Sequence, residues 1–112
     1  MKQHISSKHS EQVGFCQWFS YKYPGVVMFS IPNGELRAKS VAVRLKKEGL
    51  TRGVPDLFIP SWKLFVEMKR SSGGKVSDEQ FKMMMYLKEC GYDCIIGYGA
   101  EDASRKILEV MK

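Results

Sequence analysis

The sequence has no long hydrophobic run and few cysteines. No apolar stretch approaches the ~20 residues that a membrane-spanning helix requires. The N-terminal residues MKQHISSKHSEQ contain no hydrophobic signal-peptide core. The three cysteines include no CxxC pair, which argues against a disulfide framework and against a zinc finger. We therefore expect a cytoplasmic protein with no membrane partner.

The composition is that of an ordinary globular protein. Hydrophobic residues make up 44% and charged residues 27%, a mixture that excludes disordered and collagen-like classes. A chain of 112 residues has the usual size of one domain and can bury a core without disulfides or structural metal. We expect a single domain over 1–112.

The positive charge is concentrated in the middle of the chain. Residues 37–75 contain ten basic and three acidic side chains, a net charge of +7, whereas the whole chain has a net charge of +6. Clustered Lys and Arg suit a polyanion, because neutralised phosphates release counterions. The alternative is a solvated face on a mildly basic protein. The candidate DNA contacts in this segment are Arg37, Lys39, Arg44, Lys47, Arg52, Arg70 and Lys75.

The hydrophobic patterning predicts an α/β fold with the element order αβαββαβα. Strand-like runs that are apolar on both faces, with helices between them, indicate a mixed β-sheet flanked by helices. The helix after residue 76 is the clearest, because its first residues read as a capping box. The predicted elements are a serine-capped helix ending near 23, a strand over 26–30, a helix over 36–48, strands over 56–60 and 63–69, a helix over 77–90, a strand over 92–99 and a helix over 100–111.

The two central strands are close enough in sequence to form a hairpin. If its turn is centred between Ser61 and Trp62, residue 58 pairs with residue 65, and Asp56 faces Glu67. Facing residues of neighbouring strands have Cβ atoms roughly 4.5–5.5 Å apart. Side chains alternate along a strand, so Lys69 lies on the same face as Glu67.

Two facing carboxylates repel each other unless a cation lies between them. Oxygen ligands of this kind suit Mg²⁺ or Mn²⁺ far better than zinc. The Lys69 ammonium would lie beside the ion, where it could orient a water or stabilise charge on a phosphate. The alternative is a surface hairpin with incidental charges. The apolar neighbours of Asp56 and Glu67 favour a functional site.

The segment Gly53-Val54-Pro55-Asp56, followed by Glu67-Met68-Lys69, resembles the motif of the PD-(D/E)xK nuclease superfamily. Together with Glu11, Asn33-Gly34 and Ser77-x-x-Gln80, it is similar to the VRR-NUC (virus-type replication-repair nuclease) branch in its minimal, stand-alone form. The resemblance runs over about 8–99 and implies a restriction-endonuclease-like core.

The resemblance also implies roles for individual residues. Asp56 and Glu67 match the metal-binding carboxylates, and the backbone carbonyl of Met68 matches a further metal ligand. Lys69 matches the catalytic lysine. Glu11 matches the acidic residue of the first helix, which contacts the metal directly or through water.

Two matched positions have an equally good local explanation. Gln80 matches a glutamine that faces the active site or DNA, but a capping box also explains a glutamine there. Asn33 belongs to the matched Asn-Gly turn and is a candidate DNA contact, although Asn-Gly is also a routine turn dipeptide.

The resemblance implies a Mg²⁺- or Mn²⁺-dependent DNA endonuclease that hydrolyses phosphodiester bonds. With no base-reading motif, we expect selection of DNA structure, such as a Holliday junction or other branched DNA, by a homodimer without a nucleotide cofactor. A phage source would place the protein in a bacterial host cell. The alternatives are a non-catalytic nucleic-acid-binding module, a monomeric flap or nicking nuclease, and a sequence-specific restriction enzyme.

Overall fold

The computed structural model describes residues 6–32 and 39–111. Asn33 and Arg37, with the Asn-Gly turn, lie outside the described residues. The observed element order confirms the predicted one. The elements are α1 (Lys8–Lys22), β1 (Phe29–Ser30), α2 (Lys39–Lys47), β2 (Leu57–Ile59), β3 (Leu64–Lys69), α3 (Asp78–Glu89), β4 (Asp93–Tyr98) and α4 (Ala100–Val110).

The strands form a four-stranded mixed sheet in the order β1-β2-β3-β4. The β1–β2 and β2–β3 pairs are antiparallel, whereas β3 and β4 are parallel and are connected through α3. Two consecutive parallel strands need such a crossover, because the chain must return to the end of the sheet where the first strand began. The mixed sheet flanked by helices is the fold class that the patterning predicted.

The register of the β2–β3 hairpin is the predicted one. Leu57 pairs with Val66, Phe58 with Phe65, and Ile59 with Leu64. The turn is a short 3₁₀ helix, Pro60–Trp62, closed by Lys63 in the left-handed region with φ 50°. One further step of the same register, beyond the last paired residues, sets Asp56 opposite Glu67.

The strand predicted over 26–30 is shorter in the structure. Only Phe29–Ser30 pairs with β2, and Val27 is 64% exposed. The β-branched run before Phe29 therefore reflects packing rather than pairing, since Val26 and Met28 lie partly buried against the core. β1 is a short edge strand, a form that limits unwanted pairing with other chains.

The core lies on one face of the sheet. Alternate residues of β2 and β3 point to this face, where α1 and α4 cover them. The buried side chains are Phe15, Phe19, Leu57, Ile59, Leu64, Val66, Met68, Ala103 and Ile107. This packing holds α1 across the sheet.

Aromatic rings attach the end of α1 to the hairpin turn. The ring centroid of Trp62 lies 5.5 Å from that of Phe19 and 4.9 Å from that of Tyr23, both in edge-on arrangements. Such pairs add to the stability gained from burial. At the other end of α1, the Ser7 side chain accepts a hydrogen bond from the Ser10 amide and caps the helix. Both ends of α1 are thus fixed.

Among the described residues, no helix has the length and hydropathy needed to cross a bilayer. Cys16, Cys90 and Cys94 are free thiols in the structure.

The packing of β4 against α4 leaves no room for a side chain at Gly97. A Cβ atom there would lie 2.4 Å from Ala103 Cβ. We expect Gly97→Ala to lower the free energy of unfolding by about 1–3 kcal/mol, the usual cost of overpacking. Chemical denaturation measures this change.

The matched control is Gly14→Ala in α1, where a Cβ atom would make an ordinary 3.5 Å contact with Ala100. Because alanine favours a helix over glycine, this variant should be neutral or up to about 1 kcal/mol more stable. Equal stability of Gly97→Ala and the parent chain would contradict the β4–α4 packing described above.

Candidate functional site

Asp56 and Glu67 are buried charged residues. Asp56 is 5% exposed and Glu67 is 1% exposed. The Met68 amide donates a 2.8 Å hydrogen bond to Asp56 Oδ2, which ties the carboxylate just before β2 to the backbone of β3. A buried carboxylate is tolerated only when hydrogen bonds or opposite charges compensate it. The surrounding polar contacts provide that compensation.

Gly53 brings α3 next to these carboxylates. It has a φ of 87°, and a Cβ atom there would lie 2.7 Å from the Glu79 carbonyl oxygen. Only glycine combines this backbone conformation with such a close approach. The loop before Asp56 therefore packs directly on the first turn of α3, where Gln80 lies.

The Gln80 side chain joins the helix cap to the site. Its Oε1 accepts hydrogen bonds from the Ser77 amide at 2.9 Å and from Lys69 Nζ at 2.8 Å. Its Nε2 donates to Glu67 Oε2 at 3.0 Å. The capping box and the site contact, which the sequence presented as alternatives, are both made by this one side chain.

Lys69 is held between Gln80 and Glu67. Its ammonium lies 3.4 Å from Glu67 Oε2, and its side chain is 11% exposed. Because Gln80 and Glu67 both contact its ammonium, the Lys69 side chain has lost most of its rotamer freedom. Its charge therefore has a defined position. The structure thus brings together four of the predicted residues, namely Asp56, Glu67, Lys69 and Gln80.

Lys8, the first residue of α1, also reaches the site and was not predicted. Its Nζ lies 3.1 Å from Asp56 Oδ1 and 3.7 Å from Glu67 Oε2, so it bridges the two carboxylates. One signal was available in the sequence, because a lysine in the first turn of a helix opposes the helix dipole. That signal does not identify the partner.

Burial raises the pKa of Glu67 from 4.5 to about 7, and repulsion by Asp56 adds to the increase. The ammonium groups of Lys8 and Lys69 act in the opposite direction but do not cancel it. Strongly shifted carboxyl groups of this kind cluster at functional sites.

One oxygen of the site has no partner. Glu67 Oε1 is buried and accepts no hydrogen bond among the described residues. Such an oxygen beside a second carboxylate fits a divalent cation, which would accept both as ligands. Residues 6–32 and 39–111 contain no group of three or more His, Cys, Asp and Glu side chains able to hold a metal. Water would complete the coordination, as is usual for Mg²⁺.

Glu11 is engaged elsewhere. Its Oε1 accepts a 2.8 Å hydrogen bond from the Ala100 amide, at the start of α4. An acidic side chain at a helix N-terminus is favourable, because it meets an unpaired amide and the positive end of the helix dipole. The structure gives Glu11 this stabilising contact, and its role at the metal stays a prediction. The role of the Met68 carbonyl as a metal ligand also stays a prediction. The Met68 amide contacts Asp56.

The predicted DNA contacts in the described residues are exposed. Arg44 forms an ion pair with Glu48 and Arg52 forms one with Glu79, each at 3.5 Å. Exposed pairs of this kind are weak and leave the cation available for a phosphate. The exposed basic candidates on α2 and in the loops are Lys39, Arg44, Lys47, Arg52, Arg70 and Lys75. Their contact with DNA stays a prediction.

The fold has a solved counterpart. A structure described as a "VRR_NUC domain protein" superposes with a TM-score of 0.73 and 18% sequence identity, over 94% of this chain and 88% of that one. No protein-family model and no curated protein matches the sequence. The protein therefore shares the fold of that VRR_NUC domain protein. This confirms the fold that the motif resemblance implied.

The raised pKa of Glu67 makes stability depend on pH. Because the folded state holds the Glu67 proton more tightly than the unfolded state, the metal-free protein should lose stability as pH rises from about 4.5 to about 7. Glu67→Gln removes this dependence. Relative to that variant, the parent chain should lose on the order of 2–3 kcal/mol over this interval.

Denaturation in EDTA at several pH values measures the difference, and Glu79→Gln, on the exposed side of α3, is the control. A parent chain that keeps a constant difference from Glu67→Gln between pH 4.5 and 8 would contradict the raised pKa.

Proposed function

We propose that the protein is a metal-dependent DNA endonuclease that uses Mg²⁺ or Mn²⁺ on Asp56 and Glu67. One observation carries the proposal: two buried carboxylates face each other beside a fixed lysine, and one carboxylate oxygen has no partner among the described residues. A structural ion pair needs only one carboxylate. Two facing carboxylates can together hold the divalent ion that promotes hydrolysis of a phosphodiester.

The residues take distinct roles in this proposal. Asp56 and Glu67 hold the ion, and the Met68 amide keeps the Asp56 carboxylate aimed at it. A bound divalent ion supplies Lewis-acid polarisation of the scissile phosphate. Lys69 orients the attacking water and places positive charge where negative charge develops. Gln80 holds the Lys69 ammonium in that position.

DNA is the proposed partner because the described basic candidates are exposed and are clustered in the sequence between residues 37 and 75. The exposed cations of α2 and of the loop after β3 suit successive phosphates of a backbone. The chain offers no motif that reads base edges, so the proposed selectivity is for shape, with branched DNA or a four-way junction as substrate. The proposed setting is the cytoplasm.

Cleavage assays test the chemistry directly. Asp56→Asn and Lys69→Ala should each reduce the rate of cleavage of a labelled four-way junction at least about 100-fold, because each removes charge stabilisation from the reacting phosphate. Lys88→Ala, at the exposed end of α3, is the matched control and should cleave normally. Mg²⁺ or Mn²⁺ should be required, and EDTA should stop the reaction.

The same assay separates the enzyme from a non-catalytic DNA-binding module. A module would retain junction affinity in every variant and would gain nothing from metal. Undiminished cleavage by Asp56→Asn or by Lys69→Ala would overturn the proposed roles.

The proposed assembly is supported by the number of sites. The described part of one chain supplies one pair of opposed carboxylates and measures 45 × 39 × 25 Å. Resolving a four-way junction requires two symmetric cuts, so we propose a two-fold homodimer. Sedimentation on and off a junction should give two chains per particle, with paired cuts in one binding event. A monomer in both states would favour a nicking or flap nuclease instead.

A further inference from the structure

The position of Lys8 is unusual for a helix. It is the first residue of α1, directly after the Ser7 cap, where the helix dipole disfavours a positive charge. Its side chain is nevertheless held, with 23% exposure, and its ammonium bridges Asp56 and Glu67. The ion pairs with the two carboxylates thus outweigh the unfavourable position of Lys8 in the helix.

We propose that Lys8 is an internal counter-ion that occupies the place of the divalent metal and must leave it when the metal binds. This inference rests on the proposed function, since it assumes that Asp56 and Glu67 are the metal ligands. The ammonium contacts oxygens of both carboxylates, as a shared metal ion would. One cation therefore replaces another, and the carboxylates stay neutralised throughout.

The surroundings provide space for the displaced side chain. A cavity of about 690 Å³ opens between α1 and the segment around β1, and both Lys8 and Asp56 line it. Gln12, Ser30 and Pro32 are among the other residues that line it. A lysine has four rotatable side-chain bonds, so its ammonium can move into this space without a shift of α1.

The exchange sets the apparent affinity for metal. In the parent chain, metal binding must break the Lys8 ion pairs, so part of the intrinsic affinity is lost. Without the Lys8 ammonium, the ion no longer competes with a cation that bridges the two carboxylates, and the Lys69 ammonium remains beside Glu67. Lys8 is therefore a residue that tunes metal binding, and it contacts the metal ligands rather than the reacting atoms.

Isothermal titration with Mn²⁺ tests this. Lys8→Gln should bind Mn²⁺ about three- to tenfold more tightly than the parent chain, because removal of an ion pair of this exposure changes a binding free energy by a modest amount. Lys8→Arg keeps the positive charge and should remain within about twofold of the parent. Lys22→Gln, at the exposed far end of α1, is the charge-matched control and should not differ.

Thermal unfolding gives a second readout. Lys8→Gln should melt below the parent chain in EDTA, because its buried carboxylates lose one of their counter-ions, and should gain more from Mn²⁺ than the parent does. Equal or weaker Mn²⁺ binding by Lys8→Gln, with normal binding by the parent, would overturn the counter-ion role and leave the proposed function intact. Absence of Mn²⁺ binding in both proteins would overturn the metal site itself and the exchange with it.

Discussion

Burial of two facing carboxylates, one just before β2 and one on β3, is the constraint around which the site is organised. The register of the β2–β3 hairpin sets Asp56 opposite Glu67, and a shift of one residue would turn every side chain of a strand to the other face. Two negative charges at this distance and this degree of burial repel each other strongly. This repulsion explains why several polar groups converge on the two side chains. They are the Met68 amide, the Lys8 and Lys69 ammonium groups and the Gln80 side-chain amide.

The fold separates stability from chemistry across the sheet. Val66 and Met68 point into the apolar core with α1 and α4, while Glu67 points the opposite way. Core packing can therefore hold β3 in place without crowding the carboxylates. The loop around Gly53 then brings α3 against the chemical side, so that one helix end supplies Gln80. The site is assembled from a rigid hairpin and two helix N-termini.

The parts of this arrangement that depend on short sequence separations were predictable. The hairpin register followed from the turn length, and the helix of α3 followed from its capping box, because both are local. The site contact of Gln80 was expected only as one of two alternatives. The Gln80 side chain makes both the capping contact and the site contact. The sequence pattern alone does not distinguish this outcome from either contact made singly.

The contacts of α1 were not predictable in the same way. Lys8 meets Asp56 over 48 residues and Glu11 meets Ala100 over 89 residues, and both contacts depend on how α1 lies across the finished sheet. The motif resemblance implied a role for Glu11 at the metal, directly or through water, and this role stays a prediction. Its contact with the Ala100 amide at the start of α4 was not expected. No local pattern around Lys8 specifies a carboxylate partner. The length of β1 also depended on tertiary packing, since Val27 faces solvent despite its β-branched side chain.

The proposed function depends on a divalent metal site formed by the opposed carboxylates of Asp56 and Glu67. Diffraction from crystals grown with Mn²⁺, recorded where manganese scatters anomalously, locates the ion without reference to activity. We expect an anomalous peak within coordination distance of both carboxylates, with Glu67 Oε1 among the ligands and the Lys8 ammonium moved away. Crystals with full Mn²⁺ soaking, no peak between the two carboxylates and Lys8 still bridging them would contradict it.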